Sequence, residues 1–493
     1  MRILITIITL VLTSLSHSQV TSFFKLYSDE GDDNGQGIVE LLDSSYAVTG
    51  SSSSFLGGFG SQAFLLKIDS AGGYEWSNHY GGAESDVGRR IIYTENEGYY
   101  IAGYTNSYGN GGFDYYLIKT DMNGNMLWEN TYGGPGWERV HDAEITRDSG
   151  VVMIGESSST FPENKDMYIV RTDRDGNEVW SMQFGGSGDD VLESLERFHD
   201  STYFAAGYTY VESLDATLAY SMFFHEDGTI YWKDTLGDSA QGDYLFHGIC
   251  VDTLGSELIA VGHHVPDGQT RKDQLFARLT FTGGEFGYYT NSIAGDQVNT
   301  EVSTYGGIGK RYISVANFDA NSFEDGDDIS MSRYNSVLGH ETTVFQVNFP
   351  LPDELGQIVP TQDGGVISVG RTNSQGDTIG VNHAWVAKVG FFNDPPSTII
   401  PHLFETIVAV GDIEQDDFLE VYPNPSSGIL NVTSLTFDAV EIQISSLLGQ
   451  PMLSVNMHGT ISLDMSTFPT GTYMMKTTTS SGVSNVRKIV VQR

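Results

Sequence analysis

Few residues in this 493-residue chain stand at spacings that chemistry requires. The single cysteine, Cys250 in HGICVDTLG, follows the alternation of a strand, which marks a buried, inert thiol and not a nucleophile. His263 and His264 in VGHHVPDG form the one adjacent histidine pair. They lack further ligands at zinc-site spacing and read as part of a surface loop. Asp121, Asn123 and Asn125 in TDMNGN, a pattern repeated as TDRDGN at 172–177, carry oxygen atoms at alternate positions as a calcium loop does. Such a loop needs glycine sixth and a bidentate glutamate twelfth. Gly124 comes too early, and a tight hairpin turn accounts for the same residues. No Gly-x-Ser-x-Gly elbow, phosphate loop or His-Glu-x-x-His motif occurs. No catalytic residue, metal or cofactor is therefore assigned, and any site must be assembled from residues far apart in sequence.

The elements that would position such residues recur. Gly50, Gly103, Gly155, Gly207, Gly262 and Gly370 each end an apolar run such as YYIAG, and Asn317 takes the same slot in YISVAN. The steps between them are 53, 52, 52, 55, 55 and 53 residues, so the chain holds seven copies. Lys67, Lys119 and Arg171, and the tryptophans Trp76, Trp128, Trp180 and Trp232, keep the same register. Each copy carries four short runs of strand character; in the second they are expected near 88–93, 98–104, 113–120 and 125–131. Four strands in a period of this length form one β-propeller blade, so residues 19–392 are predicted to build a seven-bladed ring. The last copy stops at its third strand, HAWVAKVGFF. The segment FFKLYSDEGDDNGQGI aligns with WSNHYGGAESDVGRRI, Tyr27 on Tyr80, so residues 22–27 should supply the missing outer strand and clasp the ring.

Composition restricts the partners. With 25 basic and 64 acidic residues the formal charge is −39, which opposes binding to nucleic acid or to an anionic membrane. Residues 1–18 read as a signal peptide, with Arg2 ahead of an apolar run too short to span a bilayer, and no later segment is long and apolar enough to do so. Without a possible intrachain disulfide, stability must come from packing.

The chain changes style after residues 393–416, a proline-containing and then acidic stretch expected to be a linker. Residues 417–493 show about seven short strands, the pattern of a small β-sandwich. Tyr422-Pro423-Asn424-Pro425, Gly428, Leu448-Gly449-Gln450, Gly471-Thr472-Tyr473 and the terminal Lys488-Ile489-Val490-Val491 appear in that order. This segment resembles the C-terminal sorting domain of the type IX secretion system, the Por secretion tail of Bacteroidetes. The resemblance implies handling by the type IX machinery, passage through the periplasm, and release or attachment at the outer cell surface. The ring in turn resembles the tandem repeats of secreted proteins that carry this tail, which implies a fold and a destination but no chemistry. Two enzyme families place similar Asp-Gly turns in propellers. Sialidase Asp boxes put tryptophan three residues after glycine, whereas Gly124–Trp128 and Gly176–Trp180 are four apart. Quinoprotein docking repeats have the four-residue gap, usually in rings of eight. In both, the motif is structural.

One cluster remains. The segment between each pair of repeats carries acids, among them Asp33, Asp86, Glu138, Asp189, Asp190, Asp243, Asp296 and Asp353. If these loops converge on one end of the channel, their fields add there and favour a cation or a basic partner. A chain of this charge also places acids in loops for solubility. The sequence thus points to a secreted or cell-surface, non-enzymatic propeller that binds an extracellular glycan or protein. The competing class is an extracellular propeller enzyme, a glycan-active hydrolase or a quinoprotein oxidoreductase.

Overall fold

A computed structural model describes residues 23–27, 31–53, 60–160, 164–199, 201–252, 257–291, 297–305, 311–319, 327–335, 340–347, 353–363, 365–372, 382–389, 397–399, 419–422, 428–434, 440–446, 451–457, 460–466, 468–469, 471–479 and 484–491. The expected signal peptide lies outside these. The described residues contain strands and no helix. The chain divides into two compact units, Met1–Val410 and Gly411–Arg493.

The first unit is a seven-bladed propeller. Blade one comprises β2 (Asp33–Glu40), β3 (Tyr46–Ser52), β4 (Gln62–Ile68) and β5 (Tyr74–Tyr80), paired in that order. Blade two comprises β6 (Asp86–Thr94), β7 (Gly98–Thr105), β8 (Asp114–Thr120) and β9 (Met126–Tyr132). Blade three has β10 (Glu138–Ile145), β11 (Val151–Ser157), β12 (Asp166–Thr172) and β13 (Glu178–Phe184). Blade four has β14 (Val191–His199), β15 (Thr202–Val211), β16 (Ala216–His225) and β17 (Ile230–Leu236). Blade five has β18 (Gly242–Asp252), β19 (Glu257–Pro266), β20 (Asp273–Thr280) and β21 (Glu285–Asn291). Blade six has β22 (Gln297–Tyr305), β23 (Arg311–Asp319), β24 (Asp327–Asn335) and β25 (His340–Val347). Blade seven joins β26 (Asp353–Pro360), β27 (Val366–Thr372) and β28 (His383–Val389) to the N-terminal β1 (Phe23–Tyr27).

The clasp forms in the expected register, with Tyr27 opposite Ala384 and Phe23 opposite Lys388. It also repeats the chemistry of an ordinary outer strand. Tyr27 donates its hydroxyl to the Gly72 carbonyl of blade one at 2.8 Å, as Tyr80 does to Gly124 and Tyr132 to Gly176, both at 2.6 Å. Phe23 packs against Gly72 in the place where Trp76 and Trp128 press on Gly124 and Gly176. Those glycines have φ of 76°, 76° and 79°, and the wedged ring leaves no room for a Cβ.

Apolar residues are buried between blades, because a blade is covered on both faces by its neighbours. One cluster joins Ala47, Leu65 and Tyr80 of blade one to Tyr99, Ile101 and Ile118 of blade two. Another closes the ring, joining Phe23, Ile367 and Val386 to Tyr46, Val48 and Phe64.

The expected linker is not uniformly without structure: β29 (Ser397–Ile399) adds to blade six, parallel to β25. The second unit is a sandwich of two sheets. β30 (Leu419–Tyr422), β31 (Ile429–Ser434) and β34 (Thr460–Asp464) form one. The other has the order β33 (Pro451–Met457), β32 (Val440–Ser446), β35 (Gly471–Thr479), β36 (Ser484–Val491). Leu430, Val432, Ile442, Ile444, Met475 and Ile489 fill its core.

Candidate functional site

The first strand of every blade touches the first strand of the next, and β26 touches β2, so these seven strands line the central channel. Each carries a β-bulge, an extra residue unpaired with the second strand. The bulged residues are Gln36, Arg89, His141, Glu193, His247, Thr300 and Gly356. The anchor glycines are the complement of these bulges. A Cβ on Gly50, Gly103, Gly155, Gly207, Gly262 or Gly370 would collide with a carbonyl oxygen of the first strand, two residues before the bulge. Where Asn317 replaces the glycine, the bulge moves one residue further along. The signal that counted the blades therefore also marked the channel residues, but the sequence gives no reason to connect the two.

Several bulged residues meet at a cavity of about 210 Å³, lined by Gln36, Arg89, Tyr104, Arg139, His141, Glu156, Lys165, Glu193 and Tyr208. These come from four consecutive blades, and residues of four blades can converge only at the axis. The wall is a polar network. Arg89 donates to the Gln36 side-chain oxygen. His141 stands between two glutamates, Nε2 3.4 Å from Glu156 and Nδ1 3.4 Å from Glu193. Lys165 pairs with Glu156 at 3.0 Å. Burial alone would raise the Glu156 pKa, but His141 and Lys165 outweigh it and hold the carboxyl at about 2. Glu193 also faces His247 of blade five at 4.0 Å. Below this level Arg90 and Asp142 form a buried ion pair of 2.8 Å, and Asp142 accepts the Leu195 N–H, locking blades two, three and four.

Arg139 differs from the other cations. Its guanidinium lies 5.8, 5.3 and 5.3 Å from the ring centroids of Tyr104, Phe113 and Trp137. Its Nε makes no hydrogen bond, and among the described residues no carboxylate pairs with it. Trp137 beside it is 53% exposed. Thus in a chain of charge −39 the cavity gathers Arg89, Arg139 and Lys165 against Glu156 and Glu193.

The acids picked out by sequence have other partners. Asp86, Glu138 and Asp190 are buried, and each carboxylate accepts the N–H of the glycine four residues earlier, Gly82, Gly134 or Gly186, at 2.6–2.8 Å. Each also accepts a hydroxyl from its own blade, just past the second strand for Ser107 on Asp86 and Ser159 on Glu138, and within that strand for Thr209 on Asp190. Their backbone N–H groups donate to the preceding blade, at Ser61, Phe113 and Lys165, and Asp33 does the same to Asn382. In these three blades the acids fasten the inter-blade loop. Asp243 accepts the Thr217 N–H at 2.8 Å, and the exposed Asp189 accepts that of Lys165 at 3.1 Å. Asp353 begins β26, and Asp296 lies outside the described residues.

Of the remaining candidates, Asp121 accepts the N–H groups of Asn123 and Asn125 at 2.8 and 2.9 Å, the arrangement of a tight turn. Cys250 is buried in β18. The histidine pair requires a correction. His263 and His264 are not in a surface loop; both are buried on β19. His263 Nδ1 lies 2.8 Å from Nε2 of His247, and burial, then the His247 and Lys272 charges, push its pKa down to about 2. His264 stacks on Tyr244.

In the second unit Tyr422 ends β30 and Gly471 begins β35, where Lys488 pairs opposite Met474. Gly428 accepts the Met465 N–H at 2.7 Å. Tyr473 is buried, packs edge-on against Phe468 and donates to the Pro469 carbonyl at 2.8 Å. Pro423, Asn424, Pro425 and Gly449 lie outside the described residues.

A search of curated proteins finds no match to the chain. Among solved structures it is similar to Sqt1 from Chaetomium thermophilum, with 11% identity, TM-score 0.41, and coverage of 76% of this chain and 99% of that one. It is also similar to the β-propeller domain of the Trilobed protease from Pyrococcus furiosus, at 7% identity and TM-score 0.40, covering 75% and 95%. A putative 6-phosphogluconolactonase from Bacteroides uniformis gives 14%, 0.38, 62% and 82%. Residues 420–492 match the family of the secretion system C-terminal sorting domain. The chain thus carries, behind its propeller, a type IX sorting domain that directs it to the cell surface or the extracellular space.

Proposed function

We propose that the exported propeller is a non-enzymatic binding module whose ligand, a glycan or a protein, enters the channel at the cavity between blades one to four. The observation that carries this reading is the convergence of Arg89, Arg139, His141 and Lys165 on one cavity from separate blades. Such donors orient a ligand without requiring any bond to break. A hydrolase would need a carboxyl that keeps its proton beside the ligand. Glu156 is held ionised instead, and Glu193 is engaged by His141 and His247. Burial, then Glu196 and Asp142, push Glu144 up to about 8, but it does not line the cavity. These features support binding over catalysis.

The test is a glycan and protein array probed with the exported full chain and with an Arg89→Ala/His141→Ala variant of unchanged circular dichroism. The expected result is a retained ligand whose affinity falls at least tenfold in the variant. Undiminished binding by the variant, or release of a cleavage product from the bound glycan, would overturn the proposal.

A further inference from the structure

We infer that the channel cavity recognises a carboxylated sugar, with the carboxylate on Arg139 inside it and the sugar ring against the half-exposed Trp137 beside it. This rests on the reading of the cavity as a binding site and adds the class of ligand.

Three observations point the same way. Arg139 lines the cavity, its buried Nε makes no hydrogen bond, and no carboxylate among the described residues neutralises its guanidinium. A planar fork of donors fits a carboxylate in two parallel hydrogen bonds, and removal from bulk water strengthens them. Tyr104, Phe113 and Trp137 hold that fork in place through their ring faces, so little side-chain entropy is lost on binding.

Trp137 supplies the second contact. It packs edge-on against Phe113 with centroids 5.3 Å apart, which fixes its plane while leaving the residue 53% exposed. Trp137 does not itself line the cavity, but its ring centroid lies 5.3 Å from the Arg139 guanidinium that does, so the C–H side of a sugar ring can rest on it while Arg139 holds the carboxylate inside. A volume of about 210 Å³ suits one sugar unit and is too small for a folded peptide segment.

Charge sets the third limit. Arg89, Arg139 and Lys165 exceed Glu156 and Glu193 by one unit, enough for one carboxylate. The chain's −39 repels a densely charged polyanion at longer range. A glycan with isolated acid units satisfies both conditions.

The experiment uses the full chain with methyl glucuronoside, its methyl ester and methyl glucoside, followed by saturation-transfer NMR and calorimetry. The glucuronoside should bind at least tenfold more tightly than the ester or the glucoside. Arg139→Gln should remove that preference, and Arg139→Lys should restore part of it. Trp137→Ala should weaken both glycosides tenfold while leaving any binding of succinate, a carboxylate without a sugar ring, unchanged. Equal binding of acid and ester, tighter binding of succinate or of a tetraglutamate peptide than of the glucuronoside, or no saturable binding of any glycoside would overturn the inference. If an array ligand still depends on Arg89 and His141 while no carboxylated sugar binds, the binding module stands and this inference fails alone.

Discussion

Replacing Phe24 by alanine should unlatch the seventh blade from its outer strand. β1 is only five residues long, and Phe23, Phe24, Leu26 and Tyr27 are all buried. Burying four such side chains contributes about 6–12 kcal/mol, taking about 1.5–3 for each. That is an upper figure, since an unfolded chain already hides part of its apolar surface. Ordering five backbone units costs about 5–10 kcal/mol. The two nearly cancel, so the clasp holds by a few kcal/mol. Phe24 stacks on the fully buried Trp385 with ring centroids 6.0 Å apart, and truncating it removes about 3–5 kcal/mol. That loss is as large as the whole margin. Hydrogen exchange resolved by residue is the assay. Amides of β28 directed at β1 should lose protection, while those directed at β27 keep theirs. Leu127→Ala serves as the control, being on the outer strand β9 but 59% exposed, and should change nothing. Full protection of β28 in Phe24→Ala would show that burial of this side chain does not hold the clasp.

Deleting residues 417–493 should strand folded propeller in the periplasm; its normal appearance in the medium would refute the role of the tail. A pH effect should come from Asp114, whose carboxyl is buried, near Glu138, and pushed up to about 6 by burial first and then by that charge. Because the folded state then binds its proton more tightly than the unfolded state, the contribution of Asp114 to stability is fully present below about pH 4 and is lost, by up to about 3 kcal/mol, as pH rises through 6. Asp114→Asn should flatten this slope in urea titrations between those values, and an unchanged slope would refute it.

Much of the fold was legible because each blade solves the same local problem. A glycine must face the bulge, an aromatic must wedge against the next blade's turn, and a tyrosine must reach that turn's carbonyl. Those demands repeat Gly103, Trp128 and Tyr132 at the period of the blade, and they made even the clasp readable from Tyr27. The acids before each first strand were equally visible, but their purpose was not. Asp86 could be a surface charge or a buried acceptor, and only the approach of Gly82, Thr105 and Ser107 decides for the second. His263 misled for a related reason: the proline and glycine that follow suggest a loop, whereas pairing with Leu245 and Gln274 carries β19 through both histidines to Pro266. The channel site is where sequence determines least. Gln36, Arg89, His141 and Glu193 share no residue type, because a bulged residue at the axis packs against no repeated partner and is free to differ from blade to blade. Their chemistry exists only when the ring closes and brings side chains some fifty residues apart in sequence to one cavity.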